Sequence, residues 1–174
     1  MTETNNFQRK GAISNAQVGK KFEKIVFDFL KSNGIILENQ KKVEIGINAK
    51  KKHAFDLGND RILVECKAQT WTESNKTPSA KIKNWSDAMF SFYLAPKKYK
   101  KLFFVERSFN QKICKTLLEY FIEHYFYLIP SDVVLIDFYT EANNFEVYVY
   151  EKMDKIHKRK EKEKKDLWKY LGSE

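Results

Sequence analysis

Asp56, Glu65 and Lys67 sit close together in the segment HAFDLGNDRILVECKA. Asp56 ends a short apolar run, Gly58-Asn59-Asp60 has turn chemistry, and Glu65-Cys66-Lys67 lies in the next apolar run. Two carboxylates and a lysine on adjacent strands can hold a divalent cation and steer a water at a phosphodiester. A hard cation such as Mg²⁺ takes oxygen ligands, often one or two carboxylates completed by waters and substrate phosphate. Asp56 and Glu65 are the candidate metal ligands, with the Cys66 carbonyl as a third oxygen. The metal would acidify a bound water and offset phosphate charge, and Mn²⁺ could substitute for Mg²⁺. Lys67 would orient the nucleophile or stabilise the developing negative charge. The competing reading is a surface hairpin held by a cross-strand ion pair.

The chemistry depends on a hairpin that puts the three side chains on one face. Ile62, Leu63, Val64 and Cys66 are strand formers, and a two-residue loop at Asn59-Asp60 pairs Asp56 with Leu63, leaving Glu65 diagonal to it. Side chains alternate with period two, so Leu63, Glu65 and Lys67 share the face of Asp56. Ile62, Val64, Cys66 and Ala68 form an apolar row on the other face. Upstream, Ser14-Asn15-Ala16-Gln17 has capping-box form. Val18, Phe22, Ile25, Val26 and Phe29 then give the stripe of an amphipathic helix that stops at Asn33-Gly34. Glu23 flanks that stripe. It either reaches inward toward a metal or pairs in solvent with Lys20 or Lys24.

With Gly19-x-x-x-Glu23 on a first helix, then strands, then Asp56 … Glu65-x-Lys67, the chain resembles the PD-(D/E)xK nuclease superfamily over about residues 14 to 107. That superfamily includes restriction endonucleases and Holliday-junction resolvases. The resemblance implies that Asp56 and Glu65 bind metal, that Lys67 is catalytic and that Glu23 helps position metal or water. It also matches Gln69 to a position where related enzymes carry a polar active-site residue. Phe55 stands where the name's Pro would be, a departure that many members share.

Ala68 to Lys76 reads as a polar loop, and Thr77-Pro78-Ser79 opens a helix running to about Leu94. Trp71, Asn75, Lys76, Ser79, Lys81 and Lys83 are candidate nucleic-acid contacts, because a helix N-terminus favours phosphate and a tryptophan can stack on a base. Trp71 has core packing beneath the loop as an equal alternative, and Trp85 reads as core. Lys101 to Arg107 reads as a central strand. Ser108 opens a helix to about Tyr127, with Ile113, Leu117, Leu118, Phe121, Ile122 and Tyr125 inward. Val133–Tyr139 and Phe145–Tyr150 read as a final strand pair, with Asp137 as an edge or turn-facing carboxylate. His53 is a phosphate contact or a plain surface histidine.

The expected fold is thus α/β: a restriction-endonuclease-like core with a mixed β-sheet flanked by helices (αβββαβ), then a strand pair and a basic helix. A nuclease-like domain over 1–151 is followed by a basic helical tail over 152–174, whose Leu167, Trp168, Tyr170 and Leu171 could dock on the body or on a second subunit. The chain has 174 residues, a net charge of +9 and a pI near 9.3. One domain with a real core is expected, and the charge favours a polyanionic partner. Cys66 and Cys114 have no metal-ligand spacing, and no apolar run is long enough to span a bilayer. A cytoplasmic setting is the expectation. The functional expectation is a Mg²⁺-dependent, restriction-like DNA endonuclease, a homodimer if both strands are cut. The alternatives are a junction resolvase or repair nuclease, and an inactive nucleic-acid-binding protein with the same fold.

Overall fold

A computed structural model describes residues 15–72, 78–152, 155–158, 168 and 171–172. The chain opens with α1 (Asn15–Ser32), followed by β1 (Glu38–Ile45), β2 (Lys51–Gly58) and β3 (Ile62–Lys67). Next come α2 (Ser79–Leu94), β4 (Lys100–Glu106), the short pair β5 (Phe109–Asn110) and β6 (Lys115–Thr116), and α3 (Leu117–Tyr125). β7 (Val133–Tyr139), β8 (Asn144–Lys152) and β9 (Lys155–Lys158) complete the strands. The main sheet runs β1-β2-β3-β4-β7-β8-β9. β1, β2 and β3 form an antiparallel meander, whereas β3, β4 and β7 are parallel. The sheet is mixed and flanked by helices, so the α/β class expected from the sequence is present. Among the described residues no helix is long and apolar enough to cross a membrane.

Each face of the sheet buries its own core. Phe22, Val26, Phe29 and Leu30 of α1 pack with Leu57, Val64, Cys66, Phe104 and Phe138. On the opposite face, Trp85, Met89 and Phe92 of α2 and Leu118 and Phe121 of α3 pack with Phe55, Leu63, Phe103, Val105 and Leu135. Alternation along β3 and β4 makes this two-sided burial possible, because successive side chains serve opposite cores. α1 ends at Gly34, whose φ of 82° and N–H bond to the Lys31 carbonyl close the helix.

Three expectations are corrected. The helix expected from Ser108 begins at Leu117, because the β5–β6 pair precedes it, and Ile113 is exposed instead of inward. The N-terminus is fixed by a capping box: Thr116 Oγ1 accepts from the Glu119 N–H at 3.1 Å, and Glu119 Oε2 accepts from the Thr116 N–H at 2.8 Å. The basic helix expected from Lys152 is replaced at its start by strand: β8 runs to Lys152, and Lys155–Lys158 pairs antiparallel with it as β9. Ser14, and the tail apart from residues 155–158, 168 and 171–172, lie outside the described residues. The end of the tail docks on the body. Trp168 packs edge-on against Phe29 and Phe145, Leu171 is buried, and its carbonyl accepts from Arg61 at 3.2 Å. Thr116→Ala removes one half of the cap, leaves a helix N–H unsatisfied and is expected to lower stability by about 1–2 kcal/mol, measured by urea unfolding.

Candidate active site

The hairpin carrying Asp56 and Glu65 turns later than the sequence suggested. Asn59 N–H bonds to the Ile62 carbonyl at 2.9 Å, while Asn59 Oδ1 accepts from the N–H groups of Arg61 and Ile62, both at 2.8 Å. This side-chain clamp makes Asp60-Arg61 the loop, instead of Asn59-Asp60. Leu57 therefore faces Val64 and Gly58 faces Leu63. The β2–β3 ladder ends there, and Asp56 and Glu65 follow it outside the paired residues. A Cβ on Gly58 would fall 2.8 Å from the Ile62 carbonyl oxygen and 2.8 Å from the Lys41 Cβ, so no other residue fits there without displacing backbone.

Alternation along β2 breaks at Asp56. Phe55 packs on the α2 side and Leu57 on the α1 side, although they are only two residues apart. The β1–β2 ladder lapses at the same level, between Asn39↔Leu57 and Lys41↔Phe55, where Gln40 has a φ of 55°. Freed from the ladder, the Asp56 carboxylate turns into the seam between β2 and β3, and its Oδ2 accepts from the Cys66 N–H at 2.8 Å. Asp56 is close enough to Glu65 to feel its charge.

Glu65 is buried, with 6 % of its surface exposed. Its Oε2 accepts from Lys67 Nζ at 2.7 Å, and His53 Nε2 lies 3.7 Å from its Oε1. The latter distance suits an ion pair with a protonated ring but is too long for a hydrogen bond, and buried Nε2 has no hydrogen-bond partner among the described residues. Burial and the Glu65 charge push Asp56 up to about 6, against the opposing pull of Lys67 and the Cys66 N–H. Burial also works against the charged form of Glu65, but His53 and Lys67 outweigh it and hold the carboxyl below its ordinary value. For Lys67, burial disfavours the ammonium, yet Glu65 and Asp56 more than compensate and raise its pKa. Burial drives the Cys66 thiol well up, reinforced by Asp56 and Glu65. Cys66 is thus an inert core thiol. The result is a half-enclosed acid–acid–lysine cluster in which one carboxylate is charged and the other is poised to titrate.

Glu23 lies on α1, half-buried, and its charge contributes to the rise in Asp56. Lys24 pairs with Asp28 at 3.0 Å and not with Glu23. The Gln69 amide oxygen accepts from Trp85 Nε1 at 2.7 Å, which ties the residue after the site strand to α2. Among the described residues no three His, Cys, Asp or Glu side chains are grouped so as to hold a metal ion by themselves. The donor set is two carboxylates, which suits a hard cation whose remaining ligands are waters and phosphate.

Other expected contacts divide. Ser79 and Lys83 are exposed on the first turns of α2. Asn75 and Lys76 lie outside the described residues, as does the Lys81 side chain. Trp71 is corrected: it is buried, edge-on against Tyr120, and so offers no free face to a base. Trp85 is core, packed against Phe103 and Phe121. Asp137 is also corrected. It is fully buried on β7, an interior strand, with Arg107 Nη1 3.0 Å from its Oδ2. The one sequence signal for this pair is an acid inside the apolar run VVLIDFY.

Burial pushes Asp137 up to about 6, with the Arg107 charge opposing. The ordinary value is 3.8, so the folded protein holds this proton over a range where the unfolded chain has lost it. Its contribution is therefore fully present below pH about 4 and disappears as pH rises through about 6, a change of about 3 kcal/mol. Asp137→Asn cannot titrate. The difference between its unfolding free energies at pH 4 and pH 7 should be less pH-destabilised than wild type by that amount in urea melts.

Comparison with protein-family models, with curated proteins and with solved structures found no match for this chain.

Proposed function

We propose that the chain is a divalent-metal-dependent endonuclease that hydrolyses phosphodiester bonds in DNA, with a restriction-endonuclease-like core. The observation that carries this reading is the seam between β2 and β3, where Asp56 Oδ2 accepts from the Cys66 N–H at 2.8 Å and Lys67 Nζ lies 2.7 Å from Glu65 Oε2. A surface ion pair would need neither the buried glutamate nor a second carboxylate within range of its charge. Burying like charges together is costly unless a cation offsets them. The order α1, β1, β2, β3, α2, β4 supports the same reading, as does the net charge of +9.

Asp56 and Glu65 would hold the Mg²⁺, which when bound supplies an acidified water and charge neutralisation at the phosphate. The chain's own groups do the rest. The Cys66 N–H fixes Asp56 Oδ2, so the other oxygen is the one presented to the seam. Lys67 holds Glu65 ionised through their 2.7 Å contact, and its ammonium would stabilise the negative charge that grows on the attacking water and the phosphate oxygens. Glu23 adds a further carboxylate from α1 whose charge acts on Asp56.

Incubation with linear, supercoiled and four-way-junction DNA tests the reading. Metal-dependent cleavage with Mg²⁺ or Mn²⁺, absent with EDTA, is the expected result. Preference for the junction would assign a resolvase. Binding without cleavage under every metal would assign an inactive binding protein, a reading favoured by the existing pairing of Glu65 with Lys67.

A further inference from the structure

β2 pairs with β3 only at Leu57 and Gly58, whereas its ladder with β1 continues to Ile45↔Lys51. The far part of the β1–β2 hairpin is therefore a two-stranded ribbon beyond the β3 ladder, and β1 is an edge strand of the sheet. One face of the ribbon is anchored, because Val43, Ile45 and Phe55 lie in the core with Phe92 of α2. The opposite face and the tip carry Lys42, Lys50, Lys51 and Lys52, all exposed, and Ile47, which is 72 % exposed. We propose that this ribbon is a DNA-binding arm. Its four lysines take phosphates of the duplex that flanks the cleavage position, and Ile47 packs against the sugars and base edges between them. The identity of the partner as DNA rests on the nuclease reading above.

The lysines are free for this task. Lys41, which precedes them, is held by Glu38 at 2.7 Å and by Asp60 at 2.9 Å. Among the described residues none of the four has such a carboxylate partner, although Lys52 stands across from Glu44 in the ladder. Glu44 is the one acid between Lys42 and Lys52. Lys42 lies across from Ala54, so Lys42 and Lys52 are diagonal neighbours on one face, roughly 7–8 Å apart. The tip is built to hold its shape. Gly46 has a φ of 150°, and a Cβ there would fall 1.9 Å from the Ala49 carbonyl oxygen. Lys50 Nζ donates to the Gly46 carbonyl at 2.8 Å and keeps two further N–H donors. Ile47 is thus presented outward on a closed turn, between cations, where it adds nothing to the core.

The ribbon also stands next to the candidate site. Lys52 and Lys51 come one and two residues before His53, whose Nε2 lies 3.7 Å from Glu65 Oε1. At roughly 3.3 Å per residue, the basic stretch begins within about 7 Å of that histidine along the strand. Duplex is favoured over single-stranded DNA, because surfaces for unpaired strands add aromatic platforms on which bases stack. Residues 41–52 contain no Phe, Tyr or Trp. Cations around an aliphatic tip fit a phosphate backbone and the groove it borders.

The test uses the full chain and a fluorescein-labelled duplex of about 20 base pairs in Ca²⁺, with anisotropy followed from roughly 50 to 200 mM salt. The combined variant Lys42→Gln, Lys51→Gln, Lys52→Gln should flatten the slope of log affinity against log salt by about 2.7, the value for three lost phosphate contacts. Lys52→Gln alone should flatten it by about 0.9 and keeps the test open if the triple variant is unstable. The control triple is Lys31→Gln, Lys97→Gln, Lys98→Gln. These lysines are exposed, and Lys98 acts on Asp60 in the β2–β3 turn, at the other end of β2. It should flatten the slope by less than about 1. Ile47→Ala should weaken binding roughly fivefold with the slope unchanged. Equal flattening by both triples overturns the arm, since the charge would then act diffusely. So does a wild type that does not bind the duplex. Vesicles of phosphatidylserine bound by wild type and lost by the ribbon triple, with duplex bound alike by both, would assign the ribbon to a membrane surface instead. The two readings fail separately: Mg²⁺-dependent cleavage with equal slopes removes only the arm, and the slope difference in a protein that never cuts removes only the nuclease.

Discussion

Asp56→Asn is expected to eliminate cleavage while leaving DNA binding intact or tighter. The substitution keeps the size of the side chain and an oxygen that can still accept from the Cys66 N–H, so the seam should survive. It removes one of the two charges that hold the cation. Losing several kcal/mol of metal-borne stabilisation corresponds to a rate loss of about 10³-fold or more. Binding moves the other way, because a negative charge beside the phosphate is gone. Since Asp56 raises the pKa of Lys67 and is itself raised by Glu65, the variant should also make the pair Glu65–Lys67 a self-contained ion pair. Calorimetry should find metal affinity lost. Cleavage at the wild-type rate by Asp56→Asn would remove Asp56 from the site.

What was legible in the sequence was mostly parity. Glu65, Lys67 and Leu63 had to share a face once β3 was a strand, but parity could not place Asp56, where the alternation of β2 breaks. The register was harder, because it hangs on Asn59 Oδ1 holding two backbone N–H groups, and Gly58-Asn59-Asp60 permits several loops. The break in β2 was not legible at all. Nothing in Phe55-Asp56-Leu57 says that these two apolar residues serve opposite cores. That requires α2 and α1 to be in place on their separate faces, which is tertiary packing overriding local alternation.

The other misreadings have similar causes. Apolar spacing from Ile113 to Tyr125 begins before the true start of α3 at Leu117, so the stripe alone reached too far upstream. The Thr116-x-x-Glu119 box was the local signal that stops it. The charged run after Lys152 suits a solvated helix by composition, but β8 offers an edge on which Lys155–Lys158 pairs, and edge strands commonly carry lysine. Trp71 sits in a polar loop and yet is buried, since its partner Tyr120 lies far along the chain on α3. Asp137 was taken for an edge residue because a lone acid in an apolar strand is costly. The compensating Arg107 follows directly after the neighbouring parallel strand β4, where no sequence spacing announces it.

Lys67→Ala is expected to slow cleavage by about 10²–10³-fold at saturating DNA and metal, with little change in affinity for either. That is the usual loss when one preorganised electrostatic stabiliser of a transition state is removed. The expectation follows from where the ammonium sits. It is largely enclosed, it bonds Glu65 Oε2 at 2.7 Å, and it shares the seam with Asp56. It therefore cannot act as a long surface arm that simply attracts DNA. In the absence of metal, the variant leaves Glu65 with His53 as its nearby basic group, so the apo protein should lose stability. The metal-bound protein should lose much less, because the cation replaces the missing charge. A melting temperature lowered without metal and largely restored by Mg²⁺ is thus the companion result. The two measurements separate catalysis from structure. If Lys67 only neutralised Glu65, saturating metal would restore the single-turnover rate along with the stability. A rate that stays low in a protein whose melting temperature has recovered assigns the ammonium to the reacting phosphate.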